Sequence, residues 1–400
     1  MADVVVIGGG AAGMAAAIEA ARCGDRVTVL ERMDRVGKKI LATGNGRCNL
    51  MNMDELRYPR GTAFAGRVLA LFGAEEQTVF WQHLGLRLRV EDEGRAYPVS
   101  GQASSVLDML RLAMEASGVK VDTGVQAERI RRDKHGFSVQ SQDRTYRAQR
   151  VIVAGGGCAQ PKLGSNGSCY PLLAELGHRI IRPEPVLTQL MTETDKIRGL
   201  SGIRVKCTVK VVCQDRVLHE ERGEALFSDY GVSGVCVMQC AGYVRPGSML
   251  VMDLLEGMGF QSAEEMTEEL LRRKSLWGNV PMEQLMTGLC VSRVASALCL
   301  AAGVQWKNRT AGSLTKREAR QIAETTGAFT LKVKGLKGFD NAQVTRGGVD
   351  CREFNPENME SLLVPGLHAA GEVLDVDGDC GGFNLMFAFG SGILAGRNGR

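Results

Sequence analysis

The run Gly8-Gly9-Gly10-Ala11-Ala12-Gly13 constrains this chain more than any other feature. It fits G-x-G-x-x-G, which alone is a weak signal. Here the context is complete. Apolar residues Val4 to Ile7 precede it, an Ala-rich stretch over 11–23 follows and is closed by Gly24, and a second apolar stretch over 26–31 ends in Glu31. That order predicts one strand–helix–strand unit of a Rossmann-type α/β domain. Gly8 allows the tight turn, Gly10 lets the backbone approach a pyrophosphate, and Gly13 lets helix and strand pack closely. The helix start at Ala11, Ala12 and Gly13 offers unpaired N–H groups and partial positive charge to phosphates. Glu31 follows Gly13 by 18 residues, where a carboxylate accepts from a ribose 2′-OH and disfavours a 2′-phosphate. The expected ligand is an unphosphorylated adenosine dinucleotide, FAD or NAD, rather than NADP.

The remainder of the chain divides by pattern. Residues 32–52 are polar, Gly-rich and aperiodic, which predicts a long functional loop with at most one helical turn. Helices are expected at 65–72, 75–83 and 103–117. The alternating segments VKVDTGVQAERIRR and GFSVQSQ read as a small meander. Residues 150–154 read as a buried strand. Short alternating segments from about 186 to 255 predict a β-rich insert, and 262–326 turns helical. Ser262 with Glu265 and Thr315 with Glu318 have capping-box spacing, and Gly327 is the expected stop. Residues 328–334 return to strand, and an apolar helix is expected from near Asn384.

Three segments choose flavin over a nicotinamide cofactor. The first joins Arg32, Gly37, Lys38 and Lys39 to Thr43-Gly44-Asn45-Gly46-Arg47-Cys48-Asn49, placing cations and small polar residues beside the expected pyrophosphate and ribityl chain. The second is Ala154-Gly155-Gly156-Gly157, where a strand end without side chains would let the chain cross near the cofactor. The third is Gly371-Glu372 followed by Gly382-Phe383-Asn384-Leu385. A helix start there would face the flavin's carbonyl edge, and Glu372 would hold hydroxyls. No second G-x-G-x-x-G leads into a helix, so NAD(P)H is expected only as a transient donor.

Other functions are disfavoured. Lys and Arg (49) are scattered among Asp and Glu (45) with no basic stripe, so nucleic acid is not expected as a partner. The 12 Cys contain no CxxC pair and read as reduced cytoplasmic thiols, and no metal site is expected. Asp375-Val376-Asp377-Gly378 lacks the later ligating Glu of a calcium loop. No apolar run of membrane-spanning length and no signal peptide are seen, so the expected location is the cytoplasm. No obligate protein partner is inferred.

The chain resembles the HI0933-like FAD-dependent oxidoreductase family, which includes bacterial 3-dehydro-bile-acid Δ4,6-reductases and proteins labelled aminoacetone oxidases. The likeness rests on the Gly-rich opening, TGNGRCN (43–49), GRAYPVS (94–100), AGGG with PKLGSNGS (154–168), GEALFSDYGVSG (223–234), TRGGV (345–349) and GEVLDVDGDCGGFNLMFAFGSG (371–392). It implies an FAD-binding domain over 1–187 and 343–400, split by a β-barrel-like part over 188–258 and 328–342 and a helical part over 259–327. It also implies that Val125 touches the adenine through its backbone. Where the family often has FTH this chain has Phe227-Ser228-Asp229, and Val235 replaces a frequent proline. The reaction expected from the resemblance is NAD(P)H-driven reduction of a C=C bond conjugated to a carbonyl in a small hydrophobic, steroid-like substrate. Amine oxidation by O2 and RNA modification are the alternatives. Cys48, Tyr97 and Tyr230 are candidate proton donors because each lies in a family motif and carries a transferable proton.

Overall fold

The structure is a computed structural model describing residues 2–142 and 144–397; the domain limits expected at 1 and 400 lie outside them. The chain forms two compact units, one combining Met1–Pro185 with Phe339–Arg400 and the other comprising Val186–Gly338.

The first unit is built on strand β1 (Val4–Ile7), helix α1 (Ala11–Arg22) and strand β2 (Val27–Glu31). β1 and β2 run parallel with Val4 beside Val27. Strand Arg150–Val153 flanks β1, Leu367–Ala369 lies beyond it, and Lys120–Thr123 flanks β2. The result is a five-stranded parallel sheet. The segment 120–123 is a correction: its alternation suggested the meander, but it pairs with β2 instead. The antiparallel meander comprises Arg129–Asp133, Gly136–Ser141 and Arg144–Ala148. β1 is wholly apolar because both its faces are covered, and Val4, Val5 and Val6 are 0% exposed.

The helix Phe383–Gly396 packs on α1 with its backbone almost touching. A Cβ on Gly392 would stand 2.3 Å from the Ala12 carbonyl oxygen, and one on Gly396 would stand 2.5 Å from that of Ala16. Glycines in a helix interior each cost about 1 kcal/mol relative to alanine. Here no larger residue fits at those two places. The two ends of the first unit's chain are thereby held against each other.

His368 sits in the strand Leu367–Ala369, 4% exposed. Burial pushes its imidazole down to about 4 from the ordinary 6.5. The folded protein therefore resists a proton that the unfolded chain accepts below 6.5. Stability is lost as pH falls from 6.5 toward 4, by about 2 kcal/mol at pH 5. Urea unfolding of the wild type and His368→Gln at pH 7 and 5 checks this: the wild type should lose more stability on acidification than the variant.

The second unit is a closed six-stranded barrel whose neighbours run Leu190–Thr192, Gly231–Ser233, Arg216–Ser228, Arg204–Cys213, Met249–Asp253 and Phe329–Leu336. Closure removes the exposed strand edges of an open sheet. Helices Ala263–Leu276, Ser292–Ala301 and Lys316–Gly327 share its apolar core. Ser262 accepts from the Glu265 N–H, and Thr315 with Glu318 forms a reciprocal capping box. Gly327 is the last helical residue rather than the stop; Ala328 caps the helix. The architecture is thus α/β, a Rossmann-type domain split by an insert with a barrel and a helical part. Among the described residues no helix is long and apolar enough to cross a membrane.

Candidate functional site

The turn between β1 and α1 is built by contacts that only glycine permits. Gly8 has φ +104°, and a Cβ there would lie 2.5 Å from the Ala154 carbonyl oxygen. A Cβ on Gly13 would lie 1.8 Å from the Gly8 carbonyl oxygen. Gly10 differs: a Cβ there would meet no protein atom within 4 Å. The space beside it is open, as a close backbone approach to a pyrophosphate requires. Met14 donates to the Gly10 carbonyl at 2.9 Å, which closes the first helical turn and leaves the N–H groups of Ala11, Ala12 and Gly13 at its positive end. Glu31 is 8% exposed and accepts from the Gly9 and Met33 N–H groups, each at 2.8 Å. A carboxylate has about four acceptor sites, so capacity remains for a ribose hydroxyl. These residues fit the pyrophosphate and ribose of a dinucleotide.

The cations expected beside the phosphates also meet protein partners. Lys39 Nζ lies 2.6 Å from Glu372 Oε2, and the other Glu372 oxygen accepts from the Thr345 N–H at 2.9 Å. Thr345 Oγ1 in turn accepts from Cys158 and Ala159 N–H at 2.8 and 2.9 Å. One network therefore ties helix α2 (Lys38–Ala42) to the segments at 158, 345 and 372. Lys38 pairs with Asp34, and Arg32 donates to the carbonyls of Gly164 and Pro161. Arg47 pairs with Glu91 at 2.6 Å and lies 4.2 Å over the Tyr97 ring. Thr345 was not singled out; its role depends on partners far apart in sequence. Lys39 and Glu372 are a quarter and a fifth exposed, so solvent screens their attraction. Glu372→Gln should weaken flavin retention about fivefold, or ~1 kcal/mol, measured as the dissociation constant from flavin fluorescence.

The loop 43–49 turns through left-handed backbone. Gly44, Asn45 and Gly46 have φ of 55°, 55° and 83°, and Cys48 follows at 59°. Gly37, before α2, is also left-handed at 75°. Thr43 donates to the Ile40 carbonyl at 2.6 Å. Cys48 is 0% exposed, and burial pushes its thiol up to about 12. It cannot meet a substrate, so it is corrected from proton donor to packed thiol. Asn49 Oδ1 is enclosed by protein rather than turned outward. Tyr97 is 9% exposed, and desolvation raises its phenol, so it keeps its proton at neutral pH. Tyr230 belongs to the second unit, where Lys337 Nζ lies 4.1 Å over its ring.

Gly155, Gly156 and Gly157 stand where neighbouring protein atoms leave no room for a side chain. Cβ atoms there would meet Cys169 Sγ at 2.2 Å, Ser165 Oγ at 2.4 Å and Thr345 Oγ1 at 2.4 Å. Protein side chains by themselves already require glycine at all three positions. Ala154 bonds Ile7 through its N–H at 2.8 Å. Val125 lies beyond strand Lys120–Thr123 rather than on it, and its N–H donates to the Glu31 carbonyl at 2.9 Å, leaving only its own carbonyl for an adenine.

At the other end of the unit, Gly371 has φ 74° and donates to Ser391 Oγ. Gly382, φ 103°, precedes the helix that starts at Phe383. Asn384 is tied to Gly378 in both directions, at 2.9 and 2.7 Å. Met386 bonds back to the Gly382 carbonyl, so the N–H groups of Phe383, Asn384 and Leu385 stand at a second positive helix end. Asp377 is held by the Arg346 fork, with Nη2 at 2.8 Å. Asp375 accepts from the Gly347 N–H at 3.0 Å, and burial holds its carboxyl above the usual range.

The family model described as the HI0933-like protein Rossmann domain matches residues 2–398. A 3-dehydro-bile acid delta(4,6)-reductase of Clostridium scindens is 36% identical over 99% of this chain and 98% of its own. A ribosomal RNA dihydrouridine synthase of Haemophilus influenzae is 28% identical over 97% of this chain and 96% of its own. Among solved structures, a 3-ketosteroid delta1-dehydrogenase from Sterolibacterium denitrificans shares the fold, with TM-score 0.51 and 13% identity over 99% of this chain and 98% of that one.

Proposed function

From the premise that this chain belongs to the HI0933-like family and is an FAD-dependent oxidoreductase, we propose that it reduces a C=C bond conjugated to a carbonyl in a steroid or bile-acid-like substrate, with NAD(P)H as electron donor. The observation that carries the reading is the full-length likeness to a reductase named for such a bond.

Reduction of an enone adds hydride to the β carbon and a proton to the α carbon. Bound FAD supplies the hydride chemistry. The residues that would hold it are the α1 start at the pyrophosphate, Glu31 at the ribose, and the start of the helix at Phe383 near the ring system. The Lys39–Glu372–Thr345 network fixes the loops around it. Within the first unit Tyr97 remains the candidate proton donor.

A second reading has its own support. The Haemophilus influenzae relative is named for dihydrouridine synthesis. That reaction also saturates a C=C bond conjugated to a carbonyl, in a uracil ring. The bond chemistry is then common to both readings, and only the substrate differs. Anaerobically photoreduced protein mixed with a 3-oxo-4,6-diene steroid or with uridine-containing RNA separates them. The proposal expects the steroid to reoxidise the flavin and RNA to leave it reduced. Reoxidation by RNA alone would replace the first reading with the second.

A further inference from the structure

The short helix Val235–Cys240 lies against two barrel strands, Arg204–Cys213 and Arg216–Ser228. Cys207 stands opposite Gly223 in the antiparallel register of those strands. Cys236 covers that glycine: a Cβ on Gly223 would be 3.2 Å from Cys236 Cβ and 3.6 Å from its Sγ. Residues directly opposite in an antiparallel pair carry Cβ atoms about 5 Å apart. The missing side chain at 223 is therefore what lets Cys236 settle over the strand pair on the side of Cys207. Both side chains are nearly enclosed, with Cys207 4% and Cys236 2% exposed.

We propose that Cys207 and Cys236 are a redox pair, an oxidative modification site that a hydroperoxide closes to an internal disulfide joining the helix Val235–Cys240 to the barrel wall. The step balances. The Cys236 thiolate attacks the O–O bond, forming a sulfenic acid as the hydroperoxide's other oxygen leaves as water or an alcohol. The Cys207 sulfur then attacks the sulfenyl sulfur, the S–S bond forms, and a second water leaves. The two thiols lose two electrons and two protons, and the hydroperoxide takes them up. Access is through the helix itself. It has only six residues, and Val235 beside Cys236 is 45% exposed, so a local opening bares the nucleophile without unfolding the barrel.

The test uses the folded full-length protein with FAD bound. It is treated with hydrogen peroxide at a dose that oxidises the more exposed Cys213, then unfolded, alkylated and peptide-mapped. The proposal expects Cys207 and Cys236 to escape alkylation together, in one crosslinked peptide pair about 2 Da lighter than the two free peptides. A thiol reductant should restore both thiols, and the oxidised protein should melt several degrees higher. Cys240→Ser, four residues along the same helix, should keep the crosslink, and Cys236→Ser should lose it. Recovery of both cysteines as free thiols from the treated wild type would overturn the proposal. A crosslink pairing either one with another cysteine would also overturn it. The wild-type map decides the matter even where a variant fails to fold.

Discussion

Gly13→Ala should leave the protein without flavin. The added Cβ would stand 1.8 Å from the Gly8 carbonyl oxygen, well inside any tolerable contact. The obstructing atom is backbone, and that backbone is fixed in turn: Gly8 donates to the Leu30 carbonyl at 2.8 Å and packs under Ala154. Helix α1 must therefore lift from the sheet. Overpacking of a well-filled core costs 1–3 kcal/mol where side chains can yield, and here ~3 kcal/mol or more is expected. The same shift displaces the N–H groups of Ala11, Ala12 and Gly13 from the phosphate position. The affinity for FAD should fall at least about a hundredfold, the equivalent of ~3 kcal/mol. The ratio of flavin to protein absorbance after gel filtration measures it. Gly10→Ala is the informative companion. Its Cβ meets no protein atom within 4 Å, so it should fold normally and lose flavin alone.

Arg346→Met should destabilise the first unit by ~3 kcal/mol, because it strands a buried carboxylate. Asp377 is 3% exposed at its side chain and Arg346 15%, so solvent cannot replace the lost partner. The pair joins the segment 345–349 to the loop before the helix at Phe383, and Gly347 is tied to Asp375 alongside it. The melting temperature should fall by roughly 4–6 °C. Adding Asp377→Asn removes the stranded charge and should recover part of the loss. Arg346→Lys should recover less than half, since an ammonium cannot reproduce the two-pronged contact. A melting temperature unchanged in Arg346→Met would show that the pair is not structural.

What could be read from the sequence was local. Gly8 to Gly13, Glu31 and the two N-caps at Ser262 and Thr315 each depend on neighbours a few residues away or on a fixed strand–helix–strand spacing. Features that depend on partners distant in sequence were not legible. The carboxylate that meets Lys39, Glu372, lies 333 residues later. That Cys169, Ser165 and Thr345 crowd Gly155, Gly156 and Gly157 is likewise invisible in the local sequence. The segment 120–123 alternates like a solvated hairpin. It is nevertheless the edge strand beside β2, because an edge strand of a parallel sheet has one half-open side. Cys48 sat in a motif with a transferable proton, and only its burial shows that the proton is out of reach. The pairing of Cys207 with Cys236 needed the strand register, which no spacing in the sequence supplies.

The central claim is that electrons pass from a nicotinamide through the flavin to a conjugated C=C bond. An anaerobic titration follows all of it in one cuvette. Purified protein with bound FAD is mixed first with NADH or NADPH and then with a 3-oxo-4,6-diene steroid. The account predicts that one of the two nicotinamides bleaches the flavin. The steroid should then restore the oxidised spectrum, with one double bond saturated per flavin reoxidised. Flavin that neither nicotinamide bleaches, or that recovers its colour only when air is admitted, would contradict it.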